Sequence, residues 1–120
     1  MRNFRNLNIW KDSFTIVKKV YHLAELLPLE EKYGLRSQIS CAAISIPSNI
    51  AEGCSRTSQI DFKRFLEIAL GSSYELETQL IIIDELLLIS KKAEIAGLVN
   101  DINKIQKMIN NLITKLKANG

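Results

Sequence analysis

A chain of 120 residues with 47% apolar and 24% charged residues is long enough to bury one core and too apolar to remain disordered. Its 16 basic and 13 acidic residues leave a net charge of +3, which permits contact with a polyanion without demanding it. No run reaches the roughly 18 apolar residues of a membrane span. The opening "MRNFRNLNIWKDSF" lacks the apolar centre of a signal peptide, so a single cytoplasmic domain over residues 1–120, with no membrane partner, is expected.

The first predicted helix covers residues 7–27. It carries Trp10, Phe14, Val17, Tyr21 and Ala24 on one stripe and Ile9, Ile16, Val20, Leu23 and Leu27 on the next. Two adjoining stripes make a face wide enough for a bundle core. Pro28 ends it by disfavouring helical geometry at Leu27. Over the first 22 residues Arg2, Arg5, Lys11, Lys18 and Lys19 are opposed only by Asp12.

The second helix is predicted from Tyr33–Leu35 to Gly53, with Leu35, Ile39, Ala42, Ile46 and Ile50 on one face. Pro47 falls inside it. The apolar phase continues from Ile46 to Ile50, so the helix is expected to run through the proline with a kink. That costs about 3 kcal/mol and the hydrogen bond to the Ala43 carbonyl. Ser48, Asn49 or a water would help satisfy the backbone there. Cys41 and Cys54 on this helix would stand about 20 Å apart, too far to pair, and read as reduced thiols.

The third helix is predicted to start at Ser58, with Asp61 placed as in a capping box. Its seam is Phe62, Leu66, Ala69, Ser73, Leu76, Leu80, Ile83 and Leu87. A fourth, capped by Ser90, carries Ile95, Leu98, Ile102, Ile105, Ile109, Leu112 and Leu116. Four long helices joined by short loops predict an all-α, antiparallel up-down four-helix bundle. Phe65, Ile68, Ile81, Ile82, Val99 and Ile113 lie beyond one seam, which suggests self-association.

Chemistry is scarce. A di-iron bundle needs Glu-x-x-His on two helices, but the single histidine, His22, follows Lys19 by three residues. The Arg-to-His spacing of HEPN-type ribonucleases is also missing, because the nearest preceding arginine is Arg5. Gly53 and Gly71 are isolated, so no phosphate loop is present. Neither a metal nor a cofactor is expected. The notable polar residues are Arg36, Asn49, Glu52, Arg56, Arg64, Glu75 and Glu77. They read as a structural network, with Arg36, Asn49, Glu52, Glu75 and Glu77 at its centre and Glu52 paired to Arg56 one turn on. The competing reading makes Glu52, Glu75 or Glu77 a catalytic carboxylate beside an arginine.

At these residues the sequence resembles the four-helix-bundle family of 23S ribosomal RNA intervening-sequence proteins. "FRNLNIWKDSF" is similar to that family's opening Phe-x-x-Leu-x-Val-Trp. "EKYGLRSQI", "AAISIPSNIAEG" and "FKRFLEIALGSSYELETQL" follow in the family's order. The resemblance implies a cytosolic bundle without an established enzymatic activity that forms a homo-oligomeric ring, five subunits being the leading expectation. The accessory variability proteins of diversity-generating retroelements are similar, and by that likeness RNA or DNA and a nucleic-acid-processing protein such as a reverse transcriptase are the implied partners.

Candidate nucleic-acid contacts are Arg2, Arg5, Lys11, Lys18, Lys19, Arg56, Lys63 and Arg64. The chain departs from its relatives where Ser40, Cys41, Cys54, Ser55, Thr57 and Gln59 replace basic positions. Each missing phosphate partner flattens the logarithmic salt dependence by about 0.9. The alternative is a protein-interaction ring with no nucleic-acid role, favoured by the near-balanced charge.

Overall fold

Helix α1 runs Asn8–Ala24 and buries one of its two apolar stripes. Ile9, Ile16, Val20 and Leu23 are at most 5% exposed. The other stripe is buried only in part: Ala24 is 3% exposed and Trp10 and Val17 are half-buried against the core, but Phe14 at 43% and Tyr21 at 47% exposed correct the expectation of one broad core face. The helix also stops three residues before Leu27. There Arg36 takes over its last carbonyls, Nε donating to Ala24 O at 2.9 Å and Nη2 to Glu25 O at 3.1 Å. A single turn at Leu29–Glu31 follows Pro28.

Helix α2, Leu35–Cys54, is unbroken through Pro47, which is itself buried. Beside the proline, Asn49 Nδ2 donates to Ser45 O at 2.7 Å and to Ser45 Oγ at 2.9 Å. Ser45 Oγ in turn shares a hydrogen bond of 2.8 Å with Ser72 Oγ on the next helix. A polar chain thus steadies the stretch where one backbone donor is missing.

Helix α3, Gln59–Glu85, starts as its cap predicts, with Asp61 N donating to Ser58 Oγ at 3.1 Å. Its seam from Phe62 to Ile83 is buried. Leu87 does not belong to it: the residue is 79% exposed with φ +53°. Leu88 N–H bonds to Ile83 O and Leu87 N–H to Asp84 O, both at 3.1 Å, so the helix closes in a Schellman motif with leucine where glycine is usual.

Helix α4 spans Lys92–Asn119. Its first turn opens on the Lys91 carbonyl, which accepts from Ile95 N at 3.0 Å, one residue beyond the predicted Ser90 cap. Ile113 is 6% exposed and belongs to the core, whereas Leu112 and Leu116 are half-buried.

The computed structural model describes residues 2–119, with side chains through Lys117. It measures 46 × 22 × 20 Å, about the length of α4 at 1.5 Å per residue. α1 packs on α2 and α4, and α3 packs on the same two. Lys19 with Asp101 ties α1 to α4 and Ser45 with Ser72 ties α2 to α3, while Glu77 with Gln106 and Asp84 with Lys92 join α3 to α4 in opposite chain order. The buried apolar side chains of all four helices form one cluster.

Candidate nucleic-acid interface

Arg2 is fastened across the end of α2. Its backbone N–H donates to Cys54 O at 3.3 Å and its Nη1 to Arg56 O at 3.2 Å. The guanidinium lies over Phe62, 4.0 Å from the ring centre. Arg56 repeats the arrangement over Phe65 at 4.9 Å, with Glu52 at 3.4 Å from its Nη2. Stacking on a ring fixes a guanidinium; Arg2 spends Nη1 on the Arg56 carbonyl and Arg56 turns Nη2 to Glu52, so only their remaining edge donors are open to an anion. Lys63 stands one turn into α3, where it shares a small cleft of about 150 Å³ with Gln59, Ile60, Leu116 and Lys117.

These contacts bring the start of the chain, the α2–α3 junction and the last turns of α4 to one end of the bundle. Segments 2–12, 52–67 and 111–117 hold eight basic against four acidic residues. Segments 22–38 and 82–97, at the other end, hold four against six. Lys115 and Lys117 belong to the basic end and were not among the sequence candidates, because only the return of α4 places them there. Arg5 lies 5.7 Å from the ring centre of Phe4. Arg64 and Lys11 are exposed and make no ion pair among the described residues.

The two remaining candidates lie along the side of α1. Lys19 is held by Asp101 at 2.7 Å, which neutralises much of its attraction for a phosphate. Lys18 stands over Phe14 at 5.0 Å. Lys19 and Asp101 also border a cleft of about 630 Å³ between α1 and α4, lined as well by Leu23, Gly97 and Leu98.

The residues of the expected polar network each have separate surroundings. Arg36 closes α1, Asn49 serves the Pro47 region and Glu52 pairs with Arg56. Glu77 Oε1 accepts from Gln106 Nε2 at 2.9 Å, joining α3 to α4. Glu75 is exposed. No hydrogen bond or ion pair among the described residues joins any two of these five.

Cys54 is buried and Cys41 exposed. Burial pushes the Cys54 thiol above its ordinary value, partly opposed by the positive charge of Arg2. No group of three or more His, Cys, Asp or Glu residues is arranged to hold a metal ion among the described residues, and none of their helices is long and apolar enough to cross a membrane.

The fold has a clear counterpart. A crystal structure of a protein of unknown function from the S23 ribosomal protein family of Bacteroides thetaiotaomicron VPI-5482 superposes with a TM-score of 0.80 at 26% identity, covering 88% of this chain and 97% of that one. No curated protein matches the chain. The family model described as 23S rRNA-intervening sequence protein matches residues 5–111. With nearly the whole chain matched, the protein belongs to the 23S rRNA-intervening sequence protein family.

Proposed function

We propose that this protein is a non-catalytic, self-assembling scaffold of the cytoplasm whose basic end holds the backbone of RNA or DNA. The observation that carries this reading is the gathering of Arg2, Arg5, Arg56, Lys63, Arg64, Lys115 and Lys117 at one end of the bundle, two of them stacked on phenylalanine rings. A ring of such subunits, five by the family likeness, multiplies a modest patch into an extended one, because each further contact is made at high effective concentration. A nucleic-acid-processing protein is the partner such a ring would present its cargo to.

Fluorescence anisotropy with structured RNA and duplex DNA across a salt series tests the reading. Affinity is expected to fall steeply with salt. Reversing Arg56, Lys63 and Arg64 together should lower the slope by about 0.9 for every phosphate that is no longer neutralised. Binding unchanged by that reversal rejects the site. The Lys19–Asp101 ion pair favours the second reading, a protein-interaction scaffold without nucleic acid, since it withdraws one of the candidate cations. No binding at low salt would establish that alternative as the working model.

A further inference from the structure

Two exposed apolar patches lie along the sides of the bundle. Between α1 and α2 runs an apolar groove. Its two halves, about 270 and 350 Å³, share Val17 and Ile44. Trp10, Phe14 and Pro47 line one half and Tyr21 the other. From Trp10 to Tyr21 it extends about 17 Å along α1. Phe14, Tyr21 and Ile44 are 41–47% exposed. Lys11 and Lys18 flank Phe14 one turn to either side, so this rim is basic.

The second patch is the outer surface of α3. Ile68, Tyr74, Ile81 and Ile82 are 41–49% exposed there, and Ile68 to Ile82 spans about 21 Å. From residue 65 to residue 85 this helix carries five acidic residues and no basic one. Glu67, Glu75 and Glu85 are exposed and form no ion pair among the described residues. Gly71 adds a stretch of bare backbone, where a methyl group in place of the hydrogen would meet nothing within 4 Å.

We infer that the outer face of α3 in one copy of this chain seats in the α1–α2 groove of the next. The inference rests on the self-assembly reading above and names the surfaces that meet. The patches match in length, in apolar character and in sign of charge. Pairing like with like fails on the last count: two grooves would oppose their lysines and two α3 faces their glutamates, and like charges across an interface are costly. The contact is therefore head-to-tail. Every copy offers one groove and one α3 face, which builds a ring if the rotation closes. Apart from Lys11 on the groove rim and Arg64 one turn before Ile68, the cations of the basic end lie on neither patch and stay free for the polyanion.

Sedimentation velocity on paired variants tests this. Phe14→Glu with Ile44→Glu disables the groove, and Ile68→Arg with Ile82→Arg disables the α3 face. All four positions are exposed, and circular dichroism verifies that the helices survive. Each variant alone should sediment as a 13.6 kDa monomer, and an equimolar mixture should form a 1:1 dimer through the one intact groove and the one intact face. Lys18→Glu, far milder, should raise the dissociation constant at low salt by about tenfold or more. A wild-type protein that assembles while the mixture stays monomeric, while either double variant still assembles alone, or while Lys18→Glu changes nothing overturns the pairing and leaves self-assembly standing. A wild-type monomer at all concentrations overturns both.

Discussion

Gly53 of α2 packs directly against Phe65 of α3: a Cβ on Gly53 would lie 2.9 Å from Phe65 Cβ and 3.1 Å from Phe62 Cδ1. Neither obstacle is the free end of a flexible chain. Gly53→Ala gains helix propensity of about 1 kcal/mol and loses more through overpacking. A net destabilisation of about 1–2 kcal/mol is expected from urea unfolding. A stabilised variant would show that the two helices separate at little cost.

Leu87 offers the opposite case. A leucine at φ +53° carries a left-handed penalty of roughly 1–2 kcal/mol, and its 79% exposure means that little packing depends on it. Leu87→Gly removes the penalty and adds about 0.5–1 kcal/mol of unfolded-state entropy to be lost on folding. The midpoint of thermal unfolding should rise, corresponding to about 0.5–1 kcal/mol. An unchanged or lower midpoint contradicts the assigned end of α3.

Arg36 supplies two donors to the frayed end of α1. Arg36→Met keeps an apolar stem and removes both hydrogen bonds, leaving the Ala24 carbonyl without this partner. The expected loss is about 1–2 kcal/mol. Amide exchange should quicken at residues 21–27 ahead of the rest of the molecule. Uniform exchange across the chain would instead show that α1 does not depend on this cap.

The two cysteines should separate cleanly in reactivity. Exposed Cys41 should react with a thiol reagent at once, and buried Cys54 only on opening. Burial raises the Cys54 thiol above 9.0, so the folded protein keeps this proton after the unfolded chain has lost it. The stabilising contribution is therefore complete below the unfolded value and is lost as pH rises through the folded one. Stability should decline above about pH 9, and Cys54→Ala should flatten that part of the profile relative to the wild type. Two equally fast thiols would contradict the burial of Cys54.

The periodic seams carried the fold. Phe62 to Ile83, at steps of 3 and 4, are buried as their spacing predicts, and the uninterrupted phase from Ile46 to Ile50 placed Pro47 inside a helix. Where two apolar stripes adjoin, spacing alone does not decide which one faces inward. Phe14 and Tyr21 went outward because the branched residues Ile9, Ile16 and Val20 occupy the centre of the bundle. Leu87 was illegible for another reason: a helix stop made without glycine leaves no residue-type signal. The basic end was legible only in part. Arg56, Lys63 and Arg64 stand close together in the chain, but Lys117 reaches them, and Asp101 reaches Lys19, only through the return of α4.

The fastening of Arg2 has a topological consequence. Arg2 rests on Phe62 while Leu116 and Lys117 lie against Gln59, Ile60 and Lys63, so the segments carrying Arg2 and Lys117 both flank the first turn of α3. A short glycine–serine bridge between them, with a new opening cut in the exposed Leu86–Leu87 turn, defines a circular permutant that retains every interhelical seam. A bulky domain inserted at that turn would project from the pole opposite the cationic end.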